Sequence, residues 1–80
     1  MPAVEREAII DLVADEARID LAKLHEDATV ASLGIASLDM ITVLFAIEDR
    51  YGVEIPVEAV AHAGTLGSLV DIIAEKVARA

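Results

Sequence analysis

The chain has 80 residues and a formal net charge of −9, from 15 acidic and six basic side chains. This balance argues against nucleic-acid binding, which needs a cationic surface for phosphates, and against adhesion to an anionic membrane surface. Hydrophobic residues make up 56% of the sequence, too many for a disordered acidic tail. The length allows one small domain, spanning residues 1–80.

The absence of cysteine excludes a disulfide framework, a thiolate metal site and a cysteine nucleophile. No uncharged run approaches the roughly 18 residues of a membrane span, so we expect no stable insertion into a membrane. The first residues lack the basic region of a secretory signal. These features predict a cytoplasmic protein, and its acidity predicts that electrostatically steered partners are basic.

Apolar spacing predicts the first helix from about Val4 to Ala17, with Ile9, Leu12 and Val13 on one face. A long connection follows, from about Arg18 to Ala36. Connections of this length are unusual in a small domain and often functional. We expect four apolar side chains to hold it against the core, namely Leu21, Leu24, Val30 and Leu33.

The second predicted helix runs from about Ser37 to Tyr51, with Ser37 as its N-cap and Gly52 as its C-terminal stop. One apolar stripe is sufficient to form the buried face of this helix. It consists of Met40, Val43, Leu44, Ile47 and Tyr51. A second stripe consists of Leu38, Ile41 and Phe45. This second stripe is either an exposed surface or a face covered by the long connection.

An extended segment over 53–56 leads to a short helical turn near Val57 to His62, which Pro56 opens. The last helix begins near Thr65, a favoured N-cap residue, and runs to about Ala78. Its buried stripe has helical spacing and consists of Leu66, Leu69, Val70, Ile73 and Val77. The predicted fold class is all-α, a small bundle of three main helices plus one short helix with a long first loop.

Residues suited to catalysis are scarce. His25 and His62 have no histidine or cysteine partner at helical spacing, and we interpret both as surface residues. The sequence contains no phosphate-binding glycine loop and no nucleophile elbow. We therefore expect no catalytic residue and no built metal site. The sequence leaves open only weak, unspecific binding of Mg²⁺ or Ca²⁺ by Glu48, Asp49 or Glu54.

The stretch Leu33-Gly34-Ile35-Ala36-Ser37-Leu38-Asp39-Met40 places a serine after a glycine turn and at the start of an amphipathic helix. Taken alone, Ser37 is explained by helix capping. The whole chain, however, resembles the acyl carrier protein family, whose motif is Leu-Gly-x-Asp-Ser-Leu. Three further stretches support the resemblance, namely LHEDATVASLG (24–34), AIEDRYGVEIP (46–56) and TLGSLVDII (65–73).

The resemblance implies a prosthetic group. In that family the motif serine carries 4′-phosphopantetheine, derived from coenzyme A, and the matching residue here is Ser37. Physical chemistry agrees with this assignment. Acyl groups are readily carried as thioesters, and a chain without cysteine needs an added arm to supply the thiol. A helix N-terminus also offers N–H groups and the positive end of its dipole to the phosphate.

The resemblance also gives roles to the apolar residues. The second stripe and its acidic rim would bind partners through Leu38, Asp39, Ile41, Phe45, Glu48 and Asp49. The expected partners are phosphopantetheinyl transferase and acyl-transferring and chain-elongating enzymes with basic docking surfaces. An acyl chain would lodge in an apolar interior, unless these residues form only a core: Val43, Ile47, Tyr51, Ile55, Leu66 and Leu69.

The sequence departs from the family pattern at Ala36, where an aspartate usually precedes the serine. The resemblance implies that this aspartate is a docking contact for the transferase. Losing one charge-assisted contact costs roughly 1.5–3 kcal/mol of binding free energy. The chain is then a specialised carrier with a tolerant or dedicated transferase, a poorly modified carrier, or a variant into which Ala36 was introduced. Thr42 and Arg50 replace often acidic positions and favour partners other than the standard fatty-acid enzymes.

We therefore predict a freestanding, monomeric carrier that is phosphopantetheinylated at Ser37 and is not itself an enzyme. It would present acyl thioesters to enzymes of fatty-acid or related lipid biosynthesis. A carrier of polyketide or aminoacyl intermediates is the first alternative. The second is an unmodified helical protein-interaction module, which Ala36 favours. An intrinsic enzyme fits least, because no nucleophile–base pair is visible.

Overall fold

Helices account for most of the chain in a computed structural model, which describes residues 3–79. Helix α1 spans Ala3–Ala17, α2 spans Ser37–Tyr51, α3 spans Val57–Val60 and α4 spans Leu66–Arg79. One 3₁₀ turn, Leu21–Lys23, lies in the long connection between α1 and α2. The predicted all-α bundle of three main helices and a short one is confirmed. Both ends of the predicted domain, 1–2 and 80, lie outside the described residues.

The core lies between α1, α2 and α4 and follows the predicted stripes, except that Tyr51 and Val77 are only half-buried. Its largest fully buried side chains are Ile9, Val13, Val43, Ile47, Leu66, Leu69, Val70 and Ile73. Burying a side chain of this kind contributes about 1.5–3 kcal/mol. Within residues 6–79 no polar or charged side chain is buried, so the side-chain packing of the core is apolar throughout.

Two helix ends follow directly from local sequence. Gly52 ends α2 in the left-handed conformation, with φ 69°, and its N–H donates to the Glu48 carbonyl at 2.8 Å. Thr65 caps α4, because its Oγ1 accepts the N–H of Ser68 at 3.2 Å. Both predictions are confirmed.

The start of α2 corrects the prediction made for Ser37. The N-cap is Ala36, which has an extended backbone (φ −78°, ψ 167°) and whose carbonyl accepts the N–H of Met40 at 3.0 Å. Ser37 is the first helical residue. Serine was expected at the cap because its hydroxyl accepts first-turn N–H groups well. The chain instead enters the helix one residue earlier, where alanine has no such acceptor.

The long connection is fastened to the start of α4 by backbone hydrogen bonds. Three bonds cross between them: Val30 N–H to Gly64 O (3.0 Å), Leu66 N–H to Ala28 O (2.9 Å) and Gly67 N–H to Glu26 O (2.8 Å). They use two N–H groups that the first turn of α4 cannot satisfy internally. We call residues 26–30 and 64–67 the seam.

Arg6 of α1 reinforces the seam from outside. Its guanidinium forms ion pairs with Glu26, in the seam, and with Asp71, on α4. Hydrogen bonding to Asp71 is the main cause that raises the pKa of Arg6 above its usual value. The Arg6 side chain is 27% exposed and its partners are more so, and pairs of this kind contribute about 0–1 kcal/mol each.

The predicted anchoring of the long connection is confirmed at three of four residues. Leu24 is buried, and Val30 and Leu33 pack against the core while half-buried. Leu21 is 51% exposed, so the prediction is wrong there. Its 3₁₀ turn is too short to bury any of its own side chains.

Candidate functional site

Ser37 stands exposed at the N-terminus of α2. Gly34, with φ 72°, turns the chain just before it, in a conformation that favours glycine. Because Ala36 occupies the cap, no side chain accepts the N–H groups of the first turn. These N–H groups and the positive end of the helix dipole suit a phosphate carried on the Ser37 hydroxyl.

Asp39 is held by the backbone rather than standing free at the rim. Its carboxylate accepts the N–H of Ala36 at 3.2 Å, and its side chain is half-buried. The other two predicted rim acids, Glu48 and Asp49, are exposed near the opposite end of α2. The acidic part of the predicted partner surface therefore lies mainly at the C-terminal end of α2.

The second stripe of α2 faces solvent. Leu38 is 74% exposed, Phe45 67% and Ile41 38%. The alternative that the long connection covers this stripe is therefore wrong. Three neighbouring apolar side chains left in water on one helix face are the kind of patch that marks a binding surface.

Charge is unevenly distributed around Ser37. Asp39 is the only charged residue between positions 28 and 47, in a chain with 21 charged residues. Arg50, whose guanidinium lies 5.9 Å from the Tyr51 ring centroid, belongs to the charged C-terminal end of the same helix. The stretch of sequence that contains Ser37 is thus almost uncharged.

Two grooves open between α2 and the segment that contains α3. The Ser37 groove measures about 250 Å³, and its lining includes Val30, Ile35, Ser37, Met40, Val57 and Val60. The outer groove measures about 390 Å³, and its lining includes Ile41, Phe45, Glu48, Glu54, Ile55 and Val57. Val57 is common to both grooves and is 41% exposed.

The residues predicted to lodge an acyl chain lie mostly inside the closed core. Val43, Ile47, Leu66 and Leu69 are fully buried. Tyr51 is half-buried, and Ile55 is the only member of the set that lines a groove. The open apolar space is therefore beside this set rather than within it.

The remaining polar residues form no further site. His25 and His62 are both exposed, as predicted. Within the described part of the chain, no three metal-binding side chains lie close enough to hold an ion together. The helices over 3–79 also include none with the length and hydropathy to span a bilayer.

Comparison with protein families matches residues 7–73 to the family described as "Phosphopantetheine attachment site". The chain is 40% identical over 68 residues to an acyl carrier protein of Tropheryma whipplei (strain Twist), covering 84% of this chain and 83% of that protein. It is 33% identical over 73 residues to an acyl carrier protein of Guillardia theta, covering 90% of each.

The chain belongs to the acyl carrier protein family. Its prosthetic group is covalently attached 4′-phosphopantetheine. The residues present fit that group, because an exposed serine hydroxyl stands at a helix N-terminus without a side-chain cap. When bound, the group supplies the thiol that this cysteine-free chain lacks.

Two features of the site were missed by sequence reasoning. Neither groove was predicted, because Val57 and the residues opposite it on α2 are distant in sequence. For Val57, the sequence predicted only the start of a short helix after Pro56. The hydrogen bond from Ala36 N–H to Asp39 could have been found, since an acid three residues after a cap is a recognised capping pattern.

Proposed function

We propose that Ser37 carries the 4′-phosphopantetheine arm and that the protein presents acyl thioesters to enzymes of fatty-acid or related lipid biosynthesis. The protein carries out no reaction of its own. The observation that carries the proposal is Ser37 itself, exposed at the start of α2 within the Leu33-Gly34-x-x-Ser37-Leu38 pattern. We also keep the cytoplasmic location as a prediction.

We propose that partner enzymes bind α2 at the exposed stripe of Leu38, Ile41 and Phe45, with Glu48 and Asp49 at its acidic end. Burying these side chains against a partner provides binding energy, while the acids attract basic partner surfaces. Asp39 belongs to the same surface. Its contribution is chiefly to hold the N-terminal turn in shape, because its carboxylate is bonded to Ala36 N–H.

We also propose that an acyl chain lodges among the six predicted core residues. Such lodging requires the packed core to open. Val43, Ile47, Leu66 and Leu69 have no exposed surface, so a chain can reach them only if the helices separate. Close-packed interiors resist such separation.

The test is the intact mass after incubation with a broad-specificity phosphopantetheinyl transferase, coenzyme A and Mg²⁺. We expect one phosphopantetheine to be added to the native protein and none to Ser37→Ala. Because Ser37 does not cap α2, Ser37→Ala should unfold at nearly the native temperature. Ser32→Ala, in the preceding loop, is the matched control and should load normally. Loading of Ser37→Ala would refute the assignment.

A failure of the native protein to load has two separable causes. If Ala36→Asp is loaded in the same assay, the missing aspartate limits recognition by that transferase, and the Ser37 assignment stands. If neither protein is loaded while an acyl carrier protein of the usual motif is, the proposed attachment at Ser37 is wrong.

A further inference from the structure

We propose that the first part of the long connection is a second docking surface, which binds an acidic face of a partner protein. Its contact groups are the exposed cations Arg18 and Lys23 and the exposed aliphatic side chain of Leu21, and we call these three residues the loop patch. None of them lies on α2, and none lines either groove. One partner can therefore hold the carrier here while the exposed stripe of α2 engages another. The proposal goes beyond the proposed function, because it requires no group attached at Ser37.

The first support is the sign of the charge. Residues 18–23 contain two basic side chains and one acidic side chain, whereas the rest of the chain contains four basic and 14 acidic ones. The one acid, Asp20, has its carboxylate bonded to the N–H of Ala22 at 3.0 Å. Among residues 6–79, neither Arg18 nor Lys23 forms an ion pair. Two unpaired cations on an otherwise acidic protein are complementary to an acidic partner surface.

The second support is the backbone at Arg18, which has φ 58° and is the only non-glycine residue among 3–79 with a positive φ. It directly follows α1, whose end is closed by a hydrogen bond from Ile19 N–H to the Ala14 carbonyl at 3.0 Å. Glycine is preferred at this position of such a closure, because a side chain is strained there. The negative end of the α1 dipole favours a cation nearby, but a cation within the last turn would gain the same benefit without strain. Strain retained in this way is typical of functional positions.

The third support is that the apolar contact group is presented on an ordered turn. Leu21 begins the 3₁₀ turn Leu21–Lys23 and is 51% exposed. The turn is closed by hydrogen bonds from Lys23 N–H to Asp20 O at 2.8 Å and from Leu24 N–H to Leu21 O at 3.1 Å. Leu24 is buried and fixes the turn to the core. Because the turn is already ordered, covering Leu21 with a partner costs little conformational freedom.

The surroundings of the loop patch favour a protein over a larger polyanion as its partner. Asp15 and Glu16 precede it in the sequence, and Glu26 and Asp27 follow it. The molecule measures only 30 × 25 × 20 Å, and charges act over a Debye length of about 10 Å at 0.1 M salt. A nucleic acid or an anionic membrane would therefore also be repelled by these acids. A protein can confine its own acids to the matching contact and offer an apolar hollow to Leu21.

The test is a titration of the unmodified, ¹⁵N-labelled full chain with a synthetic peptide in which glutamates flank one phenylalanine. The readout is the change in backbone amide chemical shifts at low salt. We expect the largest changes at residues 18–23, and we expect binding to weaken when salt is added. A peptide with glutamine in place of every glutamate is the control and should bind about tenfold more weakly, because it cannot form ion pairs.

Variants of the protein identify the groups that bind. Arg18→Gln with Lys23→Gln should weaken binding of the glutamate peptide about tenfold, the effect of losing two exposed ion pairs. Lys76→Gln with Arg79→Gln removes the same charge from the last turn of α4 and is the matched control, which should bind normally.

Two further changes at Arg18 separate docking from a structural role. Arg18→Gly should raise the unfolding temperature, because glycine accepts the positive φ without strain, and yet it should weaken binding. Arg18→Lys keeps the charge and should keep most of the binding. If Arg18→Gly instead lowers the unfolding temperature and binds normally, the role of Arg18 is structural and the proposal is wrong.

Other outcomes would also overturn the proposal. These are shift changes centred on the exposed stripe of α2, equal binding of the two peptides, and normal binding by Arg18→Gln with Lys23→Gln. Tighter binding of phosphatidylglycerol vesicles than of the peptide would make the loop patch a membrane contact. Shifts at 18–23 that grow with protein concentration alone would make it a contact between copies of this chain. Loading of Ser37 is measured separately, so none of these results bears on the proposed function.

Discussion

Three backbone hydrogen bonds join the long connection to the start of α4, whereas α2 and the segment 53–63 face each other without one among residues 3–79. Arg6 adds ion pairs to the first side only. Apolar packing and two grooves characterise the second side, where Ser37 lies. The seam therefore fixes the frame, whereas the side formed by α2 and the segment 53–63, which the seam residue Val30 borders, has open grooves and no such hydrogen bonds.

The seam can be broken at Gly67, where a Cβ would lie 3.0 Å from the Glu26 carbonyl oxygen. That oxygen accepts the Gly67 N–H and belongs to the backbone, so it cannot move aside easily. We expect Gly67→Val to destabilise the protein by about 1–3 kcal/mol, as overpacking commonly does. Urea unfolding measures the change.

Gly64→Ala is the control for this substitution, because a Cβ there meets nothing within 4 Å. It should be neutral or stabilising by about 0.4–1 kcal/mol, through loss of freedom in the unfolded chain. Equal destabilisation by both variants would mean that the close approach of Gly67 to the Glu26 carbonyl is not the cause of the loss.

The open side can be strengthened at Ala36, the uncapped start of α2. Ala36→Asp and Ala36→Ser should each stabilise the protein by about 1 kcal/mol, since both supply an acceptor for first-turn N–H groups. Thermal unfolding measures this effect. Only Ala36→Asp adds a charge, so only it should speed loading by the transferase. If Ala36→Ser speeds loading equally, helix capping rather than the missing charge limits recognition.

A smaller effect is expected when the Arg6 pairs are removed from the seam. Arg6→Met should cost about 0.5–1 kcal/mol and reduce the salt dependence of stability, because its ion pairs are partly exposed. Arg79→Met removes an exposed pair with Glu75 on α4, away from the seam, and is the control. Salt titrations of both variants by urea unfolding provide the comparison. A greater loss in Arg79→Met would contradict the role given to Arg6.

The smallest effect concerns the acidic end of α2. Glu48→Gln with Asp49→Asn should slow transferase loading a few-fold at low salt and have little effect at high salt, because these charges act mainly on encounter rates. Asp11→Asn with Asp15→Asn, on α1, removes the same charge elsewhere and is the control. If the two double variants behave alike, net charge rather than this surface attracts the transferase.

Local signals predicted most of the frame. The bounds of α2 were obtained from apolar periodicity and Gly52, and the start of α4 from Thr65, because caps and stripes depend on neighbouring residues. The position of Ser37 at the start of α2 was also predicted, although its predicted role as N-cap was wrong. The second stripe of α2 was recognised because one stripe is enough for a buried face. Its exposure agrees with that interpretation.

Features made by distant residues could not be predicted in the same way. The seam joins backbone groups 34–41 positions apart, and backbone pairing leaves little trace in side-chain pattern. The Arg6 pairs link three separate segments, and many acids in the sequence could have served equally well. The grooves depend on how α3 packs against α2, which no local periodicity specifies.

Amide hydrogen exchange on unloaded, phosphopantetheine-loaded and octanoyl-loaded protein tests the division between the two sides most directly. We predict slow exchange at the seam amides of Val30, Leu66 and Gly67 in all three forms, with little difference among them. We predict faster exchange over 57–63 in the unloaded protein and slower exchange there once the octanoyl chain is attached. Slowing confined to α1 and α4, or an equal change on both sides, would contradict the division.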